Sequence, residues 1–376
     1  DACRDNFFRS ANCGLGIEEN EPLSEIHIIG QGHCELVGAD HPRSTGDSSK
    51  TCVCPCPKTD EDKLHLRPSY LTAEDYDRYE KTGTFGFHVD HEFSYGTDAD
   101  KPEESQCGDW RNIGILFATV SRFSIENIRI VESHAWAISL EDCAYGRIEK
   151  LGFQAQMARK IDGLEQNIEN QDGVNLRNGC HDIIISDITG TTGDDVIALT
   201  AINNSTPVKR SKDDQTEDLP NQPCSPGGSL VQTHVMHNDF SRRDPNIHNV
   251  IIRNVKAHSA GGLCGIIRFL TIRTKIWSVV VDGIVDTYPD DFQGWQSIFL
   301  IGEQSNTYGG SSARGDIKNI TISNVVANCP TVFAMSGYLE DCSISNIVLR
   351  RPGSQYMKLD RISSLGEALT RVKQSN

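Results

Sequence analysis

Three aspartates with a regular spacing are the residues of this chain best suited to acid–base chemistry. They are Asp172, Asp194 and Asp195, within residues 170–200, NQDGVNLRNGCHDIIISDITGTTGDDVIALT. Carboxylates held close together repel one another, so the pKa of at least one rises and that group stays protonated near neutral pH. Glycoside hydrolysis needs one protonated carboxyl to protonate the leaving oxygen and one ionised carboxyl to activate water or act as nucleophile.

The same residues also have a purely structural interpretation. Gly-Asp-Asp alone is a common turn sequence, because Asp and Gly both favour turns. A second Asp-Gly pair begins at Asp172, 22 residues before Asp194. In a stacked repeat of that length, equivalent positions of successive coils lie above one another, which places Asp172 close to Asp194 and Asp195. The pairing of the two segments therefore favours catalysis over a simple turn.

A repeat of this length runs through the chain from residue 111 onward. Segments rich in β-branched residues recur with a period of about 22–24 residues where no loop intervenes. They are SIENIRI (124–130), RIEKLGF (147–153), DIIISDIT (182–189), NVIIRNV (249–255), WSVVVDGI (277–284), KNITISNV (318–325) and CSISNIV (342–348). Between them lie WAISL, GVNL, VIALT, GIIRFL, SIFLIG and TVFAM. This pattern, which lacks helical periodicity, predicts an all-β parallel β-helix with three short strands in each coil.

The stacked coils predict a single β-helix domain over residues 1–376, interrupted by two main insertions. Residues 46–108 are polar and predict a loop or small lobe, and residues 202–246 are rich in Pro, Ser and charge and predict a long loop beside the carboxylates. The tail at 366–376 suggests a short capping helix. Asparagines recur beside the strands, where their amides can bond along the axis of the solenoid: Asn127, Asn254, Asn324 and Asn346.

The net charge and the apolar pattern of the chain disfavour two classes of partner, nucleic acids and membranes. The net charge of -16 disfavours nucleic-acid binding, because an acidic surface repels phosphate. No apolar run reaches the ~18 residues that a membrane span requires.

No signal peptide is visible, and the 13 cysteines are scattered and odd in number. Several, such as Cys143, Cys180, Cys329 and Cys342, lie where repeats turn and suit buried free thiols. We therefore expect a cytoplasmic protein, with secretion as the alternative.

Two other clusters contain potential metal ligands. Cys52, Cys54 and Cys56 form CVCPCP, whose C-x-C-x-C spacing differs from the C-x2-C pairs of common zinc sites. Loop cysteines, a local disulfide and a metal site all remain open there, in falling order of preference. The segment FHVDHEFSYGTD, with His88 and His91, suits a solvated loop better than a metal site. The sequence thus predicts no metal and no cofactor.

Four segments in order resemble the polygalacturonases, glycoside hydrolase family 28. RNIGILFATVSRFSIENIRI resembles the family's opening coil and VESHAWAISLEDC its Asn-Ser-Pro-x-Trp-x-Ile-His segment. ENQDGVNL resembles Asn-Thr-Asp-Gly-Ile-Asp, and TTGDDVIAL resembles Gly-Asp-Asp-Cys-Ile-Ala. The resemblance implies a single-stranded right-handed β-helix that hydrolyses with inversion. It also implies that Asp194 is the general acid, that Asp172 and Asp195 hold and activate water, and that Asn170 and Gln171 border the cleaved bond.

The chain departs from the family after this point. Where the family has Gly-His-Gly, residues 259–269 read SAGGLCGIIRF, with Leu263 or Cys264 in place of His. The family's Arg-Ile-Lys grip on galacturonate has no clear equivalent, and Arg268 is the best candidate for that role. His258 is a possible replacement for the missing His. The substrate is therefore predicted to be a polysaccharide or oligosaccharide that need not contain galacturonate.

Two further residues precede the carboxylates by one coil. Trp136 could stack on a sugar ring but equally suits the core, and His134 could bind substrate but equally suits a structural role. The two long insertions favour exo action, since such loops close one end of a groove. Two other classes remain open: a polysaccharide lyase, which the scarcity of Lys and Arg near the carboxylates disfavours, and a non-catalytic glycan-binding β-solenoid.

Overall fold

Strands dominate the structure. The computed structural model describes residues 6–10, 22–38, 81, 113–133, 135–156, 158–161, 164–167, 171–202, 244–261, 264–291, 294, 296–304 and 310–375. Almost all of the predicted insertion at 46–108, and most of that at 202–246, lie outside these residues. The proposed division into one solenoid domain with two insertions therefore stays a prediction.

The first sheet has nine strands, and every pairing in it is parallel. Its strands follow one another in chain order, so each coil adds one strand beside the last. They are β1 (Phe8–Arg9), β4 (Ile115–Ala118), β6 (Ile138–Glu141), β10 (Val174–Leu176), β12 (Ile197–Ile202), β14 (Cys264–Ile272), β16 (Gln296–Ile301), β18 (Thr331–Met335) and β21 (Gln355–Leu359).

The second sheet has twelve strands, again all parallel, and most of them are longer. Nine follow one another along the axis: β2 (Leu23–Ile29), β5 (Val120–Val131), β7 (Ala144–Gln154), β11 (His181–Thr192), β13 (Ile247–Ser259), β15 (Ile276–Asp286), β17 (Ile317–Ala327), β19 (Leu339–Glu340) and β22 (Leu369–Thr370). Three more pair beside this path: β3 (Glu35–Val37), β20 (Ser343–Leu349) and β23 (Lys373–Ser375).

Alternation of the two sheets along the chain, with parallel neighbours in each, is the topology of a parallel β-helix. Ile115 pairs with Ile138 and Val174 pairs with Ile197, so these coils advance by 23 residues (138 − 115 and 197 − 174). The predicted fold class and period are confirmed. The coil is right-handed, as parallel crossover connections almost always are. Every predicted β-branched segment falls within a strand or overlaps one.

The core is built from side chains that occupy the same register position in successive coils. In the first sheet one inward column is fully buried over six successive strands and includes two stacked rings, with centroids 4.8 Å apart. Its members are Ile138, Val174, Ile197, Ile267, Phe299 and Phe333. β-Branched and aromatic residues suit these positions because they pack on a pleated, stacked surface. The next residue of each strand faces the opposite side of the sheet.

Two columns of left-handed residues bend the long strands. The first comprises Arg122, Tyr145, Asp182, Asn249, Ser278, Asn319, Asp341 and Arg371, and the second Asn127, Lys150, Asp187, Asn254, Gly283, Asn324 and Asn346. All have φ between 50° and 78°, a region that Asn, Asp and Gly tolerate best. The predicted three short strands per coil therefore appear as one short strand and one long strand with two bends.

Amides in the second column bond along the axis, as the recurrent asparagines predicted. Asn254 Nδ2 donates to Asp187 Oδ1 at 3.2 Å, and Asn346 Nδ2 donates to Asn324 Oδ1 at 2.5 Å. Each bond joins residues of neighbouring coils, so the turn residues add to the register that the core column sets.

Smaller elements interrupt or end the solenoid. An antiparallel hairpin of β8 (Ala158–Ile161) and β9 (Leu164–Asn167), not foreseen from the sequence, lies between β7 and β10. The predicted capping helix is only partly right: α1 spans Leu365–Ala368, Ser364 accepts at its N-terminus from Glu367 N, and strands β22 and β23 follow. No helix among the described residues is long and apolar enough to span a membrane.

The cysteines at the repeat turns are free thiols, as expected. Cys143, Cys180, Cys329 and Cys342 are all buried and unbridged. They act as small apolar side chains inside the stack. The residues Cys52, Cys54 and Cys56 lie outside the described part of the chain, as do His88 and His91, so the alternatives for them stay open.

Candidate active site

The fold brings two of the three aspartates onto neighbouring coils at the same position. Asp172 precedes β10 and Asp195 precedes β12. Ala137 N donates to Asp172 O at 2.8 Å, and Gly173 N donates to Asp195 O at 2.9 Å, so the two aspartates stack along the axis. The spacing of one coil brings Asp172 to the Asp194–Asp195 pair, and the register places it directly on Asp195.

Asp194 instead lies beside Gln171 in a tight turn. Gly193 N and Asp194 N both donate to Gln171 O, at 2.9 and 3.4 Å. Thr192 Oγ1 donates to Asp194 O at 2.6 Å, and Asp195 N donates to Asp194 Oδ1 at 2.9 Å. The turn presents Asp194 half-buried, whereas Asp195 behind it is buried.

Glycine is required in this turn by close packing. A Cβ on Gly193 would lie 2.7 Å from Gln171 Oε1, and a Cβ on Gly261 would lie 2.1 Å from Gly193 O. The residues at 259–261 therefore press directly against the Gly-Asp-Asp turn. The Gly-Asp-Asp pattern thus reflects both the tight packing of a turn and the placement of two acids.

Asp195 has the most perturbed environment of the three acids. It is 3% exposed, its Oδ1 accepts from Gly265 N at 2.6 Å, and its Oδ2 lies 3.4 Å from Arg268 Nη1. Burial raises the pKa of Asp195 to about 7, against the lowering effect of Arg268, while the negative charge of Asp194 raises it further.

Asp172 and Gln171 are the buried members of the preceding coil. Asp172 is 6% exposed and Gln171 is 1% exposed. Gln171 Nε2 donates to Ser133 O at 2.7 Å, which ties this coil to the one before it. Gln171 was predicted to border the cleaved bond, and the geometry gives it the additional task of supporting the turn that holds Asp194.

Arg268 and Cys264 both approach the acids from β14. The predicted candidate Arg268 faces the site, where its guanidinium contacts Asp195 and its side chain is 15% exposed. Cys264, one of the two residues at the position of the family's His, lies beside the acids. Burial raises the pKa of the Cys264 thiol far above its usual range, and the charges of Asp194 and Asp195 raise it further. Cys264 is thus a neutral thiol and cannot carry the positive charge that an imidazole could.

Trp136 is packed rather than open. Its side chain is 9% exposed, and the guanidinium of Arg177 lies over its ring, 4.8 Å from the centroid. Ala137, the residue after Trp136, bonds to Asp172 O, so Trp136 occupies the coil position next to the acids. With one ring face covered by Arg177, this conformation favours the core interpretation of Trp136 over sugar stacking.

His258 lies on the other sheet, in β13. Its Nδ1 is 2.9 Å from Thr287 Oγ1, and burial lowers its pKa while the charge of Asp286 raises it. These contacts point toward β15 and not toward the acids. His134 and Asn170 lie outside the described residues, so their predicted roles stay predictions.

Sequence reasoning missed several groups that surround the acids. Gly265 N and Ser133 O bond to Asp195 and Gln171, and Arg177 covers Trp136. Main-chain donors carry no signal in the sequence. Arg177 had one available signal, since it directly follows GVNL, a segment that the repeat predicts as a strand.

No family model and no curated protein matches this chain. Two solved structures to which it is similar are a hyperthermoactive exopolygalacturonase from Thermotoga maritima and a family 28 exopolygalacturonase from Yersinia enterocolitica. The first shares 14% identity over 94% of this chain and 70% of that one, with a TM-score of 0.36. The second shares 12% over 94% and 60%, with a TM-score of 0.32.

Both neighbours are exopolygalacturonases. They belong to the class of enzyme that the sequence motifs resemble. Neither likeness is close enough to assign an activity to this chain, which spans only 60% of the Yersinia enterocolitica protein.

Proposed function

We propose that the protein is a glycoside hydrolase that cleaves a polysaccharide or oligosaccharide with inversion of configuration. The observation that carries the proposal is the stacking of Asp172 on Asp195, directly beside the half-buried Asp194. Inverting hydrolysis needs a protonated carboxyl on one side of the bond and an ionised carboxyl that activates water on the other. Three acids at one turn of the solenoid can supply both.

Asp194 is the proton donor in this proposal. It is the most exposed of the three acids, so it can reach the leaving oxygen of a bound sugar. Its main-chain and side-chain bonds to Thr192 and Asp195 fix the turn that presents it. The proton that the leaving oxygen takes is assigned to Asp194 in this proposal, while Asp195, whose pKa burial raises to about 7, can be ionised or protonated near neutral pH.

Asp172 and Asp195 hold and activate the attacking water. As water bonds to the anomeric carbon, the bond to the leaving oxygen breaks and takes the proton of Asp194. The water proton passes to the carboxylate side, so the total number of protons on the three acids is unchanged. Arg268 favours the ionised form of Asp195, because its charge lowers the pKa of that carboxyl.

The sugar is not fixed by these contacts. Arg268 contacts Asp195, so its charge is paired within the acid cluster and does not by itself indicate a site for a uronate carboxylate. The proposed substrates therefore include neutral and differently charged sugars as well as galacturonate. Exo action is proposed from the two long insertions, most of whose residues lie outside the described part of the chain.

A screen of oligosaccharides with matched variants tests the proposal. We expect the wild-type protein to release reducing ends from at least one member. Asp194→Asn should abolish turnover while its unfolding transition is retained. Asp360→Asn, an exposed carboxylate bonded to Ser336 Oγ, should stay active. A fully active Asp194→Asn variant would sink the assignment.

A polysaccharide lyase is the second candidate, because basic groups are closer to the acids than the sequence suggested. Arg268 contacts Asp195, and Arg177 lies over Trp136 one coil away. A lyase would release an unsaturated product that absorbs ultraviolet light. Detection of that product would show that the bond is cleaved by elimination and not by hydrolysis. Glycan binding without any turnover would favour a non-catalytic solenoid.

A further inference from the structure

One cluster of metal-binding side chains lies outside the acid site. Within the described ranges, His181, Asp182 and His248 are the only group of three or more potential ligands in reach of one another, and their ligand atoms all lie within 4.8 Å. His181 and His248 are register partners on β11 and β13. Each is followed by a left-handed residue, Asp182 or Asn249, so the same two-residue pattern recurs on adjacent coils.

Hydrogen bonds already orient the carboxylate toward the imidazoles. His181 Nδ1 is 2.7 Å from Asp182 Oδ2, and Asn249 Nδ2 donates to Asp182 Oδ1 at 3.2 Å. Both His181 and Asp182 are about one-third exposed. Asp182 also lines an open groove together with Tyr145 and Ile184, so solvent and ions reach it.

Two imidazoles and one carboxylate select a borderline transition metal. Imidazole suits Zn²⁺, Cu²⁺ and Ni²⁺, whereas Ca²⁺ and Mg²⁺ prefer sites made of oxygen atoms alone. Three protein ligands are enough for a four-coordinate Zn²⁺ ion with water in the remaining position. We propose that His181, Asp182 and His248 bind a divalent metal ion of the Zn²⁺ class on the outer face of the second sheet.

Binding requires one side chain to turn. The rings of His181 and His248 are stacked, with centroids 4.9 Å apart and planes 10° apart, and His248 also stacks on Trp277 at 4.6 Å. A ligated ion lies in the plane of its imidazole, with ligand atoms ~3.4 Å apart around a tetrahedral centre. Parallel rings cannot both satisfy this, so one ring must rotate about its Cβ–Cγ bond. His248 is held between His181 and Trp277, so His181, whose side chain is 30% exposed, is the ring that must turn.

The bound ion would join two coils that are distant in sequence. His181 and His248 flank the 203–243 segment, and they lie 67 residues apart in the chain (248 − 181). An ion bound to both in the folded state only stabilises the folded protein, by an amount that grows with the logarithm of the ion concentration once this exceeds the dissociation constant. This role is independent of glycoside hydrolysis.

Two titrations of the 376-residue protein test the proposal. Zn²⁺ binding is measured by calorimetry, and Co²⁺ binding is measured by the absorption of the bound ion. Free cysteines also bind these ions, so the informative quantity is the difference between variants. His248→Phe keeps a ring between His181 and Trp277 but removes the nitrogen ligands. We expect His248→Phe and His181→Ala each to lose one equivalent of metal. Asp182→Asn should bind that equivalent more weakly than the wild-type protein, because a charged ligand is replaced by a neutral amide.

His33→Ala is the matched control, because His33 is 80% exposed and lies outside the cluster beside Glu35. It should bind as many equivalents as the wild-type protein. Zn²⁺ should raise the Tm of the wild-type protein and of His33→Ala by more than that of His248→Phe. Equal stoichiometry in the wild-type protein and His248→Phe would overturn the proposal and leave the rings as a stacking column only.

Discussion

Replacement of Asp195 by Asn should stabilise the protein at neutral pH while it removes activity. Asp195 is 3% exposed, and burial raises its pKa to about 7 from an ordinary value of 3.8. A buried carboxyl with a raised pKa binds its proton more tightly in the folded state. The folded protein therefore loses stability as the pH rises from the unfolded pKa to the folded pKa. Asn is neutral at every pH and avoids this loss.

The pKa shift sets the size of the effect. Each pKa unit corresponds to about 1.4 kcal/mol, so ionisation of Asp195 costs the folded state at most about 4 kcal/mol above pH 7. Between about pH 4.5 and about pH 8, the advantage of Asp195→Asn over the wild-type protein should grow by about 3 kcal/mol. The contact of the new amide with Arg268, which lies 3.4 Å from Oδ2 in the wild-type protein, adds a pH-independent amount to the advantage, so its growth with pH is the informative quantity.

Urea unfolding at the two pH values measures the difference. Asp282→Asn is the control, because hydrogen bonds from Ser323 and Asn324 lower the pKa of Asp282. Asp282 is ionised at both pH values, so its variant should show nearly the same change in stability at each. An Asp195→Asn advantage that does not grow with pH would refute the assignment of a buried, proton-binding carboxyl.

Two further predictions concern the charge and the backbone of the site. Arg268→Gln should move the acidic limb of kcat/KM to higher pH, because Asp195 must be ionised to activate water and the charge of Arg268 lowers its pKa; an unmoved limb would contradict the pairing of Arg268 with Asp195. Gly190→Ala should lower the free energy of unfolding by about 2 kcal/mol or more, because its φ is 109° and a Cβ would lie 1.9 Å from Phe153 O. Gly366→Ala, with open space around its Cα, should cost little in the same urea titration.

Most of the fold could be predicted from the sequence because stacking repeats the same chemistry at every coil. Isoleucine and valine fill the inward column, and the repeat between Val174 and Ile197 has no insertion. The hairpin at β8 and β9 was not predictable, since its segment MARKIDGLEQN is polar and breaks the repeat. The number of strands per coil was also missed, because left-handed residues such as Asp182 bend a strand without ending its ladder.

The candidate site was predictable only to within one residue. Residues 194 and 195 are both aspartates. The sequence is therefore equally consistent with a register that places Asp172 opposite Asp194 and one that places it opposite Asp195. Main-chain bonds that pass through Gly173 decide between them in favour of Asp195. The contact between Asp195 and Arg268 crosses 73 residues and depends on the length of the intervening segment, so periodicity could not supply it.

The stereochemistry of hydrolysis tests the central claim most directly. Proton NMR of the first-formed anomer, recorded during cleavage of whichever oligosaccharide the screen identifies, reports whether configuration inverts. The three-acid site predicts inversion in the wild-type protein and no product from Asp194→Asn. Retention of configuration, or the same product at the same rate from Asp194→Asn, would contradict it.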